Sequence, residues 1–223
     1  MLDLIGFFSK PLLSRQTLMG RTLSSTFIDL SNRTLYDILM EYLVPLPQDR
    51  ALVIGVGNGE LLKRIAARTD SESLVGVDSD VRRLKATRRK IKGRIKSEHL
   101  VLVTEDSVRL PLAEEQFTKV IVADFIPVSP DARAADVASF SQELFRVLRV
   151  GGVAVLGFEI DNENRLLFSN RGIRSDQVLY TEDLRHHLST VGFQEVHLVG
   201  ASYSGRSYCI ALGRKEKRHK TCC

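Results

Sequence analysis

The run Gly55-Val56-Gly57-Asn58-Gly59 follows a short apolar stretch and precedes Glu60-Leu61-Leu62. Glycine tolerates the positive φ of a sharp turn and lets a ligand approach the amino terminus of the next helix, where unpaired N–H groups face outward. Alone, such a turn is equally consistent with a tight connection. Nineteen residues past Gly59 the next apolar run ends at Asp78, followed by Ser79. A carboxylate there can accept hydrogen bonds from both ribose hydroxyls of an adenine nucleoside. Turn and carboxylate together predict a nucleoside-binding crevice. The dinucleotide fingerprint shares this plan but reads G-x-G-x-x-G, whereas here Glu60 occupies the place of the third glycine.

Further polar residues sit where a crevice would open. Asp124 ends the run Val120-Ile121-Val122-Ala123, at the edge of a parallel sheet where ligands lie. It is a candidate to orient an acceptor or take its proton, and equally a strand-end carboxylate capping the next turn. His186 and His187 lie in a helical stretch from Thr181 to Leu188. Neighbours on a helix point about 100° apart, so at most one faces a pocket, and a surface role suits both. Tyr180 and Glu159 are further pocket-edge candidates.

Residues 1 to about 48 read as helical, with Phe27, Leu30, Ile38, Leu39 and Tyr42 at helical spacing and Pro45 and Pro47 ending the segment. From Ala51 onward, short apolar runs alternate with amphipathic stretches: 51–56, 74–77, 100–103, 120–123 and 153–158, with helices at about 59–69, 80–96 and 134–149. Runs buried on both faces imply a parallel sheet with helices on each side. Val196–Val199 and Tyr208–Leu212, separated by polar Gly200–Ser207, imply an antiparallel hairpin at the end of the sheet. Residues 160–179 interrupt the alternation as a long loop, expected to build the acceptor pocket with the amino-terminal helices. The expected division is a helical cover over 1–48, an α/β domain over 49–215 and a basic tail over 216–223.

At this point the chain resembles the class I S-adenosylmethionine-dependent methyltransferases, and in particular small-molecule enzymes similar to those of ubiquinone and menaquinone biosynthesis. The resemblance runs from about Asn32 to Lys215. It rests on the glycine loop, Asp78, Glu105-Asp106-Ser107 with Leu110-Pro111, and Arg146-Val147-Leu148-Arg149-Val150-Gly151-Gly152, in the family's order. It implies a Rossmann-like, doubly wound, seven-stranded sheet, mostly parallel, with an antiparallel carboxy-terminal hairpin. It further implies S-adenosyl-L-methionine as cofactor, with Gly55, Gly57 and Gly59 beside its methionine part, Asp78 and Ser79 at the ribose, and Asp106 with Ser107 at the adenine. Asn32 matches an Asn of a helix that closes over the cofactor. Three positions depart from the family pattern: Thr118 stands for an Asp, Val150 for a Pro, and Val56 for an acidic or small polar residue. The implied reaction is methyl transfer by in-line displacement to a small organic acceptor. Alternatives are an RNA or protein methyltransferase, a noncatalytic nucleoside-binding protein and a dehydrogenase.

Charge and composition bound the partners. The chain has 223 residues and a net charge of +5, with 43% apolar and 26% charged residues, which excludes disordered, collagen-like and disulfide-scaffold classes. Nine Lys/Arg against Glu98 fall in Val81–Glu98, and five against Glu216 in Arg214–Lys220, leaving the remainder about 7 negative. The basic stretch places Val81, Leu84, Ile91 and Ile95 on one stripe, so the expectation is a helix with a buried apolar side and a charged outer face. That face is a solvated surface or a contact for RNA or phospholipid. No aromatic residue is interleaved to stack on bases, and Leu4, Ile5, Phe7 and Phe8 are consistent with a lipid-like acceptor or peripheral membrane contact. Cys209, Cys222 and Cys223 have no metal-ligand spacing, so no metal is expected and a reduced, cytoplasmic compartment fits. Met1–Phe8 does not read as a cleaved signal, and no apolar run is long enough to span a membrane.

Overall fold

The structure, a computed structural model, describes residues 24–70, 74–91, 100–102, 109–124, 134–167 and 179–217; of residues 24–32, 100–102 and 134–136 it describes the backbone only. Its elements in chain order are α1 (Ser24–Leu43), β1 (Ala51–Ile54), α2 (Glu60–Ala66), β2 (Leu74–Asp78), α3 (Val81–Lys90), β3 (Leu100–Leu102), β4 (Phe117–Ala123), α4 (Ala134–Val147), β5 (Leu148–Ile160), β6 (Leu166–Leu167), α5 (Thr181–Val191), β7 (Gln194–Tyr203) and β8 (Arg206–Arg214). The strands form one sheet in the order β3-β2-β1-β4-β5-β8-β7. The first five are parallel, β8 runs antiparallel between β5 and β7, and the two-residue β6 pairs with the end of β5. The expected Rossmann-like sheet with an antiparallel end is therefore present. The short β6, inside the stretch read as a loop, is an addition.

Alternation along each strand sends successive side chains to opposite faces. Val53, Ile121 and Val155 pack on one side with Leu35, Leu39 and Leu43 of α1, Leu61 and Ile65 of α2, and Leu84 of α3. Leu52, Val120 and Leu156 pack on the other with Phe140 and Leu144 of α4 and Leu184 and Leu188 of α5. The sheet is covered on both faces, which is why its central strands are almost wholly apolar. Helix α1 lies flush on the sheet at Gly157, where an added Cβ would approach Leu39 Cδ2 at 2.8 Å and Leu35 Cδ1 at 2.9 Å.

The carboxy-terminal hairpin is longer than its apolar runs. β7 and β8 continue to a two-residue turn at Ser204-Gly205, with φ of 51° and 76°, the left-handed geometry that suits the strand twist. β7 is an edge strand with little buried surface, so polar residues stay within it and the apolar pattern understates its length. Helix α3 differs from the expected stripe. Leu84, Thr87 and Ile91 are buried, whereas Val81 is 47% exposed. Extending the buried line back one turn from Leu84 lands on Asp80, the N-cap whose carboxylate accepts from Arg82 N, so Val81 falls on the flank. Ile95 lies outside the described residues.

Candidate functional site

Strand order reverses between β1 and β4, whose neighbours β2 and β5 lie to opposite sides. Ligands of open α/β sheets bind at the carboxyl ends of strands at such a point. Three segments meet there: the glycine loop after β1, Asp78 at the end of β2, and Asp124 after β4.

The glycine loop is built by backbone conformations that side chains resist. Gly55, Gly57 and Gly59 have φ of 79°, 52° and 78°. Gly55 N donates to Val77 O at 2.9 Å and Gly59 N to Val56 O at 2.8 Å, while Glu60 N donates to Asn58 Oδ1 at 3.0 Å. The loop thus closes on itself and on β2. Val56, in place of a polar residue, is buried in the core shared by α1 and α2. Its aliphatic side chain faces the protein.

Asp78 is fully buried. Its Oδ2 accepts from Gly57 N at 3.1 Å and its Oδ1 from Asp80 N at 2.9 Å. Burial pushes its carboxyl above the ordinary value, opposed by those two N–H groups and by the Arg83 charge. Each oxygen spends one acceptor direction on the backbone and retains another, the arrangement a pair of vicinal hydroxyls requires. Ser79, half-buried, lies between Asp78 and the α3 cap. These features fit a nucleoside cofactor: a carboxylate with spare acceptor capacity beside a loop that three glycines turn sharply through positive φ.

The loop is braced from two sides, and neither brace was legible from motif spacing. From α1, the buried Tyr36 brings its hydroxyl to 3.1 Å of where a Cβ on Gly57 would stand. Tyr36 is one helical turn beyond Asn32, which lies in α1 with its side chain outside the described residues. From α3, the buried Thr87 packs against Gly59, and its Oγ1 reaches Gly57 O at 3.5 Å. Lys90 Nζ donates to Asn58 O at 3.2 Å and pairs with Glu60 Oε2 at 3.7 Å. Glu60 also holds Arg64, which pairs with Asp37 of α1. A chain of alternating charges therefore links α1, α2 and α3 around the loop.

Asp106 and Ser107 lie outside the described residues, but the segment that follows them is held firmly. Arg146 of α4 donates to Leu112 O at 2.8 Å and Leu110 O at 3.1 Å, and forks onto both carboxylate oxygens of Glu143 at 2.8 Å. Glu143 in turn accepts from Leu110 N at 2.9 Å. Burial alone would raise the Glu143 carboxyl, yet the Arg146 fork and the Leu110 N–H carry it below its ordinary value. The Arg146 of the quoted run is thus a clamp on Leu110-Pro111-Leu112. Thr118 is likewise structural. Its hydroxyl donates to Asp49 Oδ1 at 2.8 Å and accepts from Arg50 N at 3.0 Å, tying β4 to the turn before β1.

Asp124 sits just past β4 with φ of 49°, its N–H donating to Gly157 O at 2.8 Å. The left-handed conformation, which Asp tolerates better than most residues, turns the chain at the carboxyl edge beside the glycine loop. Glu159 pairs with Arg206 at 2.9 Å, Tyr180 is the N-cap of α5, His186 is exposed and His187 half-buried on that helix. Cys209 is buried, and desolvation pushes its thiol up to about 11, which keeps it protonated and unreactive. Cys222 and Cys223 lie outside the described residues. Among the described residues, no group of three His, Cys, Asp or Glu is placed to hold a metal ion, and no helix is long and apolar enough to cross a membrane.

Residues 52–156 match the family model described as a methyltransferase domain. Two demethylmenaquinone methyltransferases are similar in sequence. That of Roseiflexus sp. strain RS-1 is 33% identical over 102 residues, covering 46% of this chain and 39% of the relative. That of Roseiflexus castenholzii is 32% identical over 103 residues, covering 46% and 40%. The chain thus spans about two-fifths of the length of these relatives. Among solved structures, the 1,6-didemethyltoxoflavin-N1-methyltransferase of Burkholderia thailandensis, with S-adenosylhomocysteine bound, superposes with a TM-score of 0.63 at 14% identity, covering 86% of this chain and 81% of that one. The [4+2]-cyclase SpnF gives 0.61 at 17%, covering 84% and 82%. Residues 52–156 thus match a methyltransferase-domain model, and the sheet around them has the fold of these solved structures.

Proposed function

We propose that this protein binds S-adenosyl-L-methionine and transfers its methyl group to a small organic acceptor in the cytoplasm. The observation that carries the reading is the Asp78 carboxylate, aimed by Gly57 N and Asp80 N at the edge of the glycine loop. Asp78 and Ser79 take the ribose, Gly55, Gly57 and Gly59 pass the methionine part, Asp106 and Ser107 take the adenine, and Asn32 closes from α1. The cofactor, when bound, supplies a methyl carbon open to attack in line with its bond to the sulfonium sulfur, which leaves as a neutral thioether. The chain's task is alignment and exclusion of water. Asp124, just past the carboxyl end of β4, orients the acceptor and takes its proton where the nucleophile carries one. The matched methyltransferase domain and the two similar demethylmenaquinone methyltransferases support a small acceptor. The similarity in fold to a [4+2]-cyclase makes direct measurement of the reaction necessary, because fold alone does not fix chemistry.

Calorimetric titration with S-adenosylhomocysteine and with NAD is the first test. Binding of the former alone is expected, and Asp78→Ala should weaken it about 100-fold through loss of two charge-assisted hydrogen bonds. Unchanged affinity removes the site assignment. Tritiated methyl transfer into an extract of the source cell, with identification of the labelled product, then names the acceptor. Absence of label in any product, with cofactor binding intact, overturns the catalytic reading.

A further inference from the structure

The sequence of α3, Val-Arg-Arg-Leu-Lys-Ala-Thr-Arg-Arg-Lys, holds six cations and no acid, and the mechanism uses none of its outer face. With Leu84, Thr87 and Ile91 buried, the opposite side carries Arg82, Lys85 and Arg89 within an arc of about 60°. The Arg82 side chain is 88% exposed, and Lys85 and Arg89 make no ion pair among the described residues. The stripe contains no aromatic, Asn or Gln side chain. It therefore lacks the groups that stack on bases or read their edges. It does have an exposed aliphatic neighbour, Val81. Long cations around a small apolar contact suit a surface of anionic headgroups, which asks for charge and shallow burial without sequence readout.

We propose that the outer face of α3 docks the protein on an anionic phospholipid bilayer. The inner face of the same helix holds the glycine loop through Thr87 and Lys90, and its N-cap Asp80 is two residues from Asp78. Docking sets the cofactor loop about one helix diameter, roughly 10 Å, from the headgroups. An acceptor dissolved in the bilayer then meets the site without crossing bulk water. The docking stands independently of the proposed methyl transfer; only the lipid-soluble acceptor rests on it.

The test is co-sedimentation of the full chain with vesicles of phosphatidylcholine alone and with about one-third phosphatidylglycerol. Binding to the anionic vesicles only, falling steeply with added salt, is expected. In Lys85→Gln/Arg89→Gln each lost charge should lower partition about fivefold, so about 30-fold for the pair. S-adenosylhomocysteine affinity should stay unchanged, since neither side chain touches the loop. Equal binding to both vesicle types overturns the proposal, as does anionic binding that the paired variant leaves intact. Tighter binding to a single-stranded RNA than to the anionic vesicles at equal salt, lost in the same variant, replaces the membrane with a nucleic acid. The wild-type salt and lipid dependence decides the matter even if the variant misfolds. Failure of S-adenosylhomocysteine to bind removes the methyltransferase reading and leaves the vesicle result standing.

Discussion

Replacing Gly59 by Ala tests the bracing of the glycine loop from α3. Two separate penalties arise. Gly59 has φ of 78°, a conformation that costs a side chain about 1–2 kcal/mol. The new Cβ would also stand 2.9 Å from both Cγ2 and Oγ1 of Thr87. Thr87 is β-branched, fully buried and turned toward Gly57 O, so it has little rotameric escape, and overpacking of this kind costs about 1–3 kcal/mol. Gly59→Ala should therefore lose about 2–5 kcal/mol. In a Thr87→Ala background the collision disappears and only the backbone term remains, about 1–2 kcal/mol. Urea unfolding of the four proteins of this cycle measures the difference, expected as a coupling of about 1–3 kcal/mol. Equal cost of Gly59→Ala in both backgrounds, within about 0.5 kcal/mol, would refute the contact. Calorimetry with S-adenosylhomocysteine on the same proteins should show weakened binding in both Gly59→Ala variants, because the loop shifts in each.

Two further changes probe the supports on either side. Glu143→Gln removes the charged half of the clamp on Leu110–Leu112 and should cost about 1–3 kcal/mol at neutral pH. Because the folded state holds the Glu143 carboxyl below its ordinary value, its stabilisation is present above the unfolded-state value and lost as pH falls through the folded one; urea unfolding should show the gap to wild type closing on acidification through and below the usual carboxylate range. Lys215→Met tests the amino-terminal edge of the sheet. Lys215 Nζ donates to Phe145 O at 2.9 Å and Leu148 O at 2.8 Å and lies 4.7 Å from the Phe145 ring centroid. Its loss should destabilise the fold by about 2–4 kcal/mol, measured by urea unfolding, while S-adenosylhomocysteine affinity holds.

Where the sequence read well, burial on both faces was the reason. Central strands such as Ala51–Ile54 must be apolar throughout, and the glycine loop and Asp78 follow from their order along the chain. The edge strand β7 carries no such constraint, so Val196–Val199 gave only its middle. Tyr36 and Thr87 escaped because their role is contact with glycines distant in sequence, and a Tyr or Thr on a helix face has no spacing that announces it. Arg146 was visible as part of a motif, but its grip on Leu110 and Leu112 depends on where α4 lands, which local pattern does not encode. The stripe that included Val81 failed for the opposite reason: a three-residue step back from Leu84 reaches Val81 on the flank of the first turn, whereas the buried line runs back to the N-cap Asp80.

The close seat of α1 on Gly157 has a consequence for traffic through the site. With Leu35 and Leu39 resting where a Cβ would be, this helix is a fixed wall, and swinging it outward would strip β4 and β5 of their apolar cover on that face. Ligand exchange is therefore expected to leave the Leu35–Leu39 turn of α1 in place, and a bulkier residue at position 157 should loosen that turn.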